Sequence, residues 1–242
     1  DTNGGSAISK VSRTSGTTVD LTGYTPTRDG YTFDGWYSNS ALTIKVTSIK
    51  LTSNTTIYAK WTAKSDMSFT DVADKAYYRD AVEWAVENGI TKGTTATTFS
   101  PNATCTRAQA VTFLWRAAGS PEPETRAMPF TDVPVGSYYY NAVLWAIENG
   151  ITEGTSDTMF SPDDTCSRAQ IVTFLWRAGG SPAVSGNSAF TDVASDAYYA
   201  AAVIWAEKND ITGGIGGGLF GSNNDCTRGQ IVTFLYRAAS AR

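Results

Sequence analysis

The chain of 242 residues has no histidine, three cysteines, and no apolar run approaching the roughly 18 residues of a membrane-spanning helix. Without histidine, the commonest general base and most zinc sites are missing. We therefore expect no metal site and no membrane insertion. Asp1 begins no signal peptide, so the sequence reads as a mature or excised part of a longer protein.

Positive charge is scarce in most of the chain. Residues 65–242 carry 12 Lys and Arg against 19 Asp and Glu, whereas residues 1–64 carry 7 against 4. This acidic majority argues against nucleic acid as a partner. The 41% of apolar residues and 12% of aromatic residues are enough to fill folded cores, so we predict a globular protein.

An internal repeat organises the chain after residue 65. The sequence FTDV begins at residues 69, 130 and 190, in steps of 61 and 60 residues. The same steps separate three cysteines and three arginines: Cys105, Cys166 and Cys226, and Arg107, Arg168 and Arg228. Three units are therefore predicted, at residues 66–120, 127–181 and 187–242, joined by linkers rich in Gly, Pro and Ser.

Each unit is predicted to be helix-loop-helix. In YYRDAVEWAVENG the apolar Ala81 and Val82 lie on one side and Glu83 on the other, so this first helix is expected to be half exposed. The second helix is apolar nearly all round, which is typical of a helix enclosed by protein. We therefore predict a mainly α fold, in which the second helices form a central three-helix bundle with pseudo-threefold symmetry.

Residues 1–64 follow a different pattern. GYTFDGWY and TTIYAKW alternate between apolar and polar residues, which is typical of strands, and Asp29-Gly30 marks a turn between them. We expect a small β domain at residues 18–64, preceded by a flexible arm at residues 1–17.

The second helices begin with a capping-box pattern, in which a good N-cap residue is followed three positions later by Gln. The pairs are Thr106 with Gln109, Ser167 with Gln170, and Thr227 with Gln230. A cysteine lies one residue before each cap, at the spacing of a hydrophobic staple. The cysteines are therefore predicted to be small buried groups rather than reactive thiols.

An arginine occupies the first position of each second helix, where the helix dipole disfavours a cation by about 0.3–1 kcal/mol. One explanation is an ion pair with Asp71 or its equivalents, Asp132 and Asp192. The other is an anion site, in which the arginine and free backbone N–H groups of the helix start face an open groove. Both can hold at once, with the acid orienting the arginine.

Several spaced motifs resemble the S-layer homology (SLH) domain. They are the FTDV start, the NGIT-x-G turn, the F-S-P loop and the TRAQ helix start, where the family has Thr-Arg-Ala-Glu, and they recur through about 175 residues. The segment GYTFDGWY…NTTIYAKW resembles the Listeria–Bacteroides repeat, a small β-grasp-like module of bacterial surface proteins.

The resemblance implies noncovalent anchoring of an exported protein to the bacterial cell wall or S-layer. Such triplets bind a secondary cell-wall polysaccharide, usually bearing pyruvylated N-acetylmannosamine, in grooves between adjacent units. The arginines would pair with the pyruvyl carboxylate, and glycines would let backbone approach the sugar. The implied carbohydrate-binding residues are Arg107, Arg168, Arg228, Gly93, Gly154, Gly214, Gln109, Gln170 and Gln230. To these we add tyrosines at the first-helix starts, Tyr78, Tyr139 and Tyr199.

The third unit departs from the other two. Asp210 stands where Gly89 and Gly150 end the first helices, Ser222 replaces a proline, Asp225 a threonine, and Gly229 an alanine. Gln also replaces the family's usual Glu in all three copies, which removes a charge. We expect the groove of the third unit to differ and to bind weakly or not at all.

Two other functions stay open. The triplet could be a structural S-layer or adhesion module that packs against other surface-protein chains, or part of a glycan-processing enzyme. No G-x-S-x-G occurs and no cysteine has a histidine partner, so we assign no catalytic residue and no cofactor. GGGLFG at residues 216–221 is an accidental match to a nucleotide-binding pattern. The repeated tryptophans are interpreted as core residues: Trp84, Trp115, Trp145, Trp176 and Trp205.

Overall fold

A computed structural model describes residues 1–63, 68–125 and 127–241, and the chain divides into two compact units, Asp1–Met67 and Ser68–Arg242. The described residues contain six helices and two small antiparallel sheets, and helices hold 26% of the chain. The prediction of a mainly α fold is therefore wrong. The first unit is built from strands, and much of the second consists of ordered loops between short helices.

Among its described residues, the first unit contains five strands: β1 (Thr18–Asp20), β2 (Tyr31–Tyr37), β3 (Lys45–Val46), β4 (Ser48–Lys50) and β5 (Tyr58–Ala63). Strands β1 and β4 form one antiparallel pair, and β3, β2 and β5 form a three-stranded antiparallel sheet in that order. The alternating pattern brings Leu21, Trp36 and Ala59 into a small core, against which Phe33 and Trp61 pack. The described residues of this unit contain no helix.

The first three residues, which belong to the arm predicted at residues 1–17, form hydrogen bonds with β5 and the residue before it. The amino terminus donates to the carbonyl of Ile57 at 2.7 Å, and the Asn3 amide donates to the carbonyl of Ala59 at 2.6 Å. The indole of Trp61 donates to the carbonyl of Thr2 at 2.8 Å. These hydrogen bonds hold the first residues along β5, with the first residues as donors in two of them and Trp61 as the donor in the third.

The second unit contains six helices: α1 (Arg79–Glu87), α2 (Arg107–Ala117), α3 (Tyr140–Glu148), α4 (Arg168–Ala178), α5 (Ala200–Lys208) and α6 (Arg228–Ser240). The second helices of the repeats, α2, α4 and α6, contact one another at the centre. Each first helix packs mainly on the second helix of the preceding repeat: α3 on α2, α5 on α4, and α1 on α6. The three repeats therefore form a closed ring in which the first repeat packs on the third.

The exposed side predicted for α1 includes one residue that is buried. Glu83 is only 5% exposed, and its carboxylate pairs with Arg79 one turn earlier at 3.2 Å. Arg79 also pairs with Asp74 at 2.8 Å. The prediction that Glu83 faces solvent is therefore wrong, because the intrahelical arginine compensates its burial.

A ring of backbone hydrogen bonds joins the three cysteines around the centre of the unit. Cys105 N–H donates to the Cys226 carbonyl at 2.9 Å, Cys166 N–H to Cys105 at 2.8 Å, and Cys226 N–H to Cys166 at 2.8 Å. All three side chains are buried free thiols, as predicted.

Within the described residues, no helix has the length and apolar character needed to cross a membrane.

Candidate functional site

The starts of α2, α4 and α6 are held by the predicted capping boxes. In each repeat the N-cap hydroxyl accepts from the N–H of the glutamine three residues later, and that glutamine's Oε1 accepts from the N-cap N–H. In the first repeat both hydrogen bonds, between Thr106 and Gln109, are 3.2 Å long. Because only a carbonyl oxygen is needed for this contact, Gln serves as well as Glu.

The arginine at the first position of each helix is buried and reaches into the next repeat around the ring. Its Nε donates to the carbonyl of a phenylalanine in the neighbouring loop. The pairs are Arg107 with Phe160 at 2.8 Å, Arg168 with Phe220 at 2.8 Å, and Arg228 with Phe99 at 2.9 Å. Each guanidinium also lies over two phenylalanine rings, 4.8–5.7 Å from their centroids, which is cation–π geometry.

The backbone N–H groups at these helix starts are not free. Arg107 N–H donates to the Asp164 carbonyl at 2.8 Å, and Ala108 N–H donates to the Pro162 carbonyl at 3.0 Å. The corresponding groups of α4 and α6 donate to loop carbonyls in the same way, and the cap accepts from the third N–H. An anion site built from these N–H groups is therefore excluded, because neighbouring carbonyls already accept from them.

The aspartate that recurs in each repeat has a different role from the ion pair considered above. Asp132 accepts from the N–H groups of Phe160 and Ser161 at 2.9 and 2.7 Å. Asp71 and Asp192 hold the equivalent loops, and no ion pair between these aspartates and the arginines occurs in the described residues. The aspartate thus fixes the loop whose carbonyl accepts from the arginine, so the acid and the cation are coupled through the backbone.

Burial lowers the pKa of Arg107, Arg168 and Arg228, while nearby cysteine, tyrosine and aspartate groups act in the opposite direction. The arginines differ in how completely they are paired. Nη2 of Arg168 donates to the hydroxyl of Thr212 at 3.2 Å, whereas Nη2 of Arg107 is buried with no hydrogen-bond partner.

A groove of about 590 Å³ opens beside one of these arginines, and residues from all three repeats line it. We call it groove 1. Its lining residues are Gly89, Thr91, Lys92, Gly93, Gln109, Thr112, Phe113, Arg116, Tyr138 and Arg228. They include three cations and no carboxylate. A groove therefore does not belong to one repeat, and the arginine of the third repeat serves the groove beside the first.

The residues of the other two repeats that are equivalent to the lining of groove 1 define two corresponding sets around the ring. Groove 2 denotes the set Arg107, Glu153, Gly154, Gln170, Arg177 and Tyr198, and groove 3 the set Arg168, Gly213, Gly214, Gln230, Arg237 and Tyr77. Arg107 lies over Phe174 and Arg168 over Phe234, as Arg228 lies over Phe113 in groove 1. The second arginine of each set is held by a carbonyl at the end of a first helix: Arg116 by Ile90, Arg177 by Ile151, and Arg237 by Ile211.

The three predicted glycines are required by the packing of the repeats. Gly93 has φ +85°, and a Cβ there would lie 2.5 Å from Phe69 and from the carbonyl of Thr98. Gly154 and Gly214 are equally enclosed. The phenylalanine that begins each FTDV motif therefore packs directly on the glycine, a structural role that the sequence analysis did not include.

The structure places a different tyrosine in groove 1 from the one predicted. Tyr138 lines the groove, and Tyr139 is absent from its lining. Tyr138 and its equivalents Tyr77 and Tyr198 are 59–63% exposed. Tyr78 instead packs near the backbone of Gly229. Tyr78, Tyr139 and Tyr199, which were predicted at the first-helix starts, occupy the N-cap positions and are half-buried.

The tryptophans lie away from groove 1. Trp84, Trp145 and Trp205 line a separate cavity of about 260 Å³ with the last residues of the central helices. The indoles of Trp115 and Trp176 donate to the carbonyls of Pro121 and Pro182, at 2.9 and 3.0 Å. They hold the linkers that leave α2 and α4, in agreement with a packing role.

Comparison with known proteins identifies these repeats. The family model of the S-layer homology domain matches residues 68–111, 129–172 and 189–232. The model of the Listeria-Bacteroides repeat domain matches residues 1–60, which includes the segment predicted as an arm.

Curated relatives agree with this assignment. The chain is 34% identical over 100 residues to the "Surface-layer 125 kDa protein" of Lysinibacillus sphaericus, covering 41% of this chain and 8% of that protein. It is 31% identical over 116 residues to a "Cell surface protein" of Thermoanaerobacter kivui, covering 46% and 15%. An "Amylopullulanase" of Thermoanaerobacterium thermosulfurigenes is 28% identical over 193 residues, covering 77% and 10%. The chain thus spans only a small part of each relative.

The matches to the S-layer homology model cover more than half of the chain. The chain therefore belongs to the S-layer homology family, with a Listeria-Bacteroides repeat followed by three S-layer homology domains, the type of module that anchors bacterial surface proteins to the cell wall.

Proposed function

We propose that this chain anchors an exported protein noncovalently by binding an anionic secondary cell-wall polysaccharide, carrying pyruvylated N-acetylmannosamine, in the grooves between its repeats. The observation that carries this proposal is the lining of groove 1. Lys92, Arg116 and Arg228 converge there without a carboxylate among the lining residues. A concave cationic site in an otherwise acidic chain favours an anionic ligand.

The remaining lining residues suit a sugar. Tyr138 offers an aromatic face, and Thr91 and Gln109 carry hydroxyl and amide groups that hydrogen-bond sugar hydroxyls. Gln109 uses its Oε1 in the capping box, so its Nε2 group is a donor that a glutamate would not supply. The pyruvyl carboxylate would meet the cations while the ring contacts the tyrosine.

Several grooves on one chain favour firm attachment through weak contacts. Once one groove is occupied, binding of the same polysaccharide to a second groove is intramolecular, which raises the combined affinity without any new contact. A repeating polymer on the wall suits this arrangement better than a single small ligand does.

Binding to purified bacterial cell walls tests the proposal. We expect the full chain to sediment with intact walls and to stay in solution with walls stripped of secondary polysaccharide by hydrofluoric acid. Soluble polysaccharide should compete, and removal of its pyruvate by mild acid should abolish that competition. Equal sedimentation with both kinds of wall would contradict the proposal.

A matched pair of variants ties binding to the groove. Arg116→Gln removes a cation that lines groove 1, whereas Arg13→Gln removes an exposed cation in the first unit. We expect only Arg116→Gln to weaken wall binding, by about fivefold, since one cation is lost from the site. Thermal unfolding of both variants separates this loss from unfolding.

A packing role against other surface-protein chains is the second candidate. The loop before α3 exposes Val135, at 86%, and Tyr138, at 59%. Ordered sheets or oligomers that form without any polysaccharide, and are lost in Val135→Ser, would favour this candidate.

A further inference from the structure

We propose that the three grooves are graded in affinity for an anionic glycan by the residue before their glycine, with groove 1 the strongest and groove 2 the weakest. This inference rests on the proposed function and specifies which groove the ligand fills first. The grading residues are Lys92 in groove 1, Gly213 in groove 3 and Glu153 in groove 2.

The position is the same in all three repeats but carries a different charge in each. It lies between a buried threonine and the glycine that packs on the FTDV phenylalanine, and it is exposed in all three repeats. With the two arginines of each set, groove 1 has three cations and no carboxylate. Groove 3 has two cations and Asp210, which stands at the position of Gly89, and groove 2 has two cations and Glu153, which pairs with Arg177.

Contacts of the second arginine in each set add to the difference in charge between groove 1 and groove 2. Nη1 of Arg116 donates to the Ile90 carbonyl at 3.0 Å, and no carboxylate pairs with Arg116 in the described residues. In groove 2, Nη2 of Arg177 lies 3.8 Å from the carboxylate of Glu153. A ligand carboxylate in groove 2 must therefore compete with a carboxylate of the protein.

The loops that face the buried arginines also make groove 2 less positive than groove 1. The loop beside Arg107 carries Asp164, whose charge acts on that guanidinium together with Asp132. The corresponding loop residue beside Arg228 is Ala103. Beside Arg168 it is Asn224, followed by Asp225, whose carboxylate accepts from the hydroxyl of Thr165 at 2.6 Å. The positive potential of groove 2 is thus reduced from two sides. The charge of Asp163 acts on Tyr138 in groove 1, but Asp163 does not line the groove.

This grading differs from the expectation that the third repeat is the weak one. The departures of the third repeat lie outside the lining of groove 1. Asp210 and Asp225 add carboxylates on the side of groove 3, but neither forms an ion pair with an arginine in the described residues. The arginine of the third repeat, Arg228, lies in groove 1 itself.

A charge exchange between the grooves tests the inference. Lys92→Glu and Glu153→Lys are compared with Lys75→Glu and Glu122→Lys, which make the same charge changes at exposed positions outside the grooves. The probe is the polysaccharide fragment released from cell walls by hydrofluoric acid. Amide resonances of Gly93, Gly154 and Gly214 in ¹⁵N-labelled full chain report on one groove each.

In the wild type, we expect Gly93 to respond at the lowest fragment concentration and Gly154 at the highest. Reversing one charge near a bound carboxylate should change the dissociation constant about fivefold at low salt and less at high salt. Lys92→Glu should weaken groove 1, and Glu153→Lys should strengthen groove 2, by about that factor, while the controls leave both unchanged.

The inference is overturned if Gly154 saturates first, or if the groove variants change binding no more than the controls do. Both outcomes leave wall binding intact and so spare the proposed function. If none of the three glycines responds in the wild type, the proposed function fails together with the inference.

Discussion

Burial sets the chemistry of the three cysteines. Desolvation raises the pKa of Cys105 and Cys226 to about 12, and it raises the pKa of Cys166 well above its ordinary value. A thiol that keeps its proton is a poor nucleophile, so the native chain should resist alkylation at neutral pH.

The same pKa shifts predict a loss of stability in alkali. Between about pH 9 and pH 12 the unfolded chain releases thiol protons that the folded chain retains, so each cysteine lowers the free energy of unfolding by about 1.4 kcal/mol per pH unit. Urea unfolding of the reduced protein from pH 8 to 11 measures this slope. Cys105→Ala should have a shallower slope than the wild type, and equal slopes would contradict the assignment.

Asp210, one departure of the third repeat, adopts the left-handed backbone conformation that glycine adopts in the other two. Asp210 adopts φ +55°, where Gly89 and Gly150 adopt +68° and +63° at the same helix end. We predict that Asp210→Gly raises the free energy of unfolding by about 0.5–1 kcal/mol, because glycine adopts this left-handed region without strain. Thermal unfolding should show the increase, and the reverse change, Gly150→Asp, should lower stability by a similar amount.

At the scale of elements, the contact between a helix start and the loop of the next repeat decides how the arginines act. Their side chains are enclosed by protein on most sides, at 3–5% exposure, and so they stabilise the ring as well as contributing charge to the grooves. Arg→Ala therefore affects folding and binding together. Loss of glycan binding in such a variant would not by itself assign the arginine to the ligand.

Arg168 and Arg107 should differ in their contribution to the free energy of unfolding. Arg168→Ala removes two hydrogen bonds and two ring contacts, and we predict a loss of about 3 kcal/mol. Arg107→Ala should cost about 1 kcal/mol less, because its Nη2 is already buried without a partner. Urea unfolding of the two variants gives the comparison. A larger loss for Arg107→Ala would mean that a water or ligand satisfies that nitrogen.

Local features of the helices could be predicted from sequence, whereas their partners could not. The capping boxes depend on residues three positions apart, and the cysteines were identified as buried from their staple position. The acceptor of Arg107 lies 53 residues away and that of Arg228 lies 129 residues away. No periodicity encodes such a pairing. Tyr138 was missed because the tyrosine pair turns its first member outward, which depends on where α3 begins.

At the scale of the molecule, the ring makes each repeat depend on its neighbours. Repeat similarity predicted three equivalent units, but it could not predict that each first helix packs on the preceding repeat. The loop carbonyls that accept from the helix starts also come from a different repeat in every case. The second unit should therefore unfold in one cooperative transition.

Deletion of the third repeat tests that cooperativity. A chain that ends at Ser185 loses α6, on which α1 packs, and the loop carbonyls that accept from the start of α4. We predict that the remaining two repeats lack a cooperative thermal transition by circular dichroism. A chain that begins at Ser68 is the control and should retain its transition, since the two units are separately compact. A cooperative transition in the shorter chain would show that two repeats suffice.

The hydrogen bond from Arg228 to Phe99 also constrains the order in which the unit can form. It joins residues 129 positions apart, and α1 has its main helical partner in α6. Because α1 packs on α6, the ring cannot close while the last helix is absent. Contacts between residues so far apart in sequence also slow folding. During synthesis or translocation, the first repeat therefore lacks the helix of the third repeat on which it packs. The segment that emerges first remains a substrate for chaperones until the whole triplet has emerged.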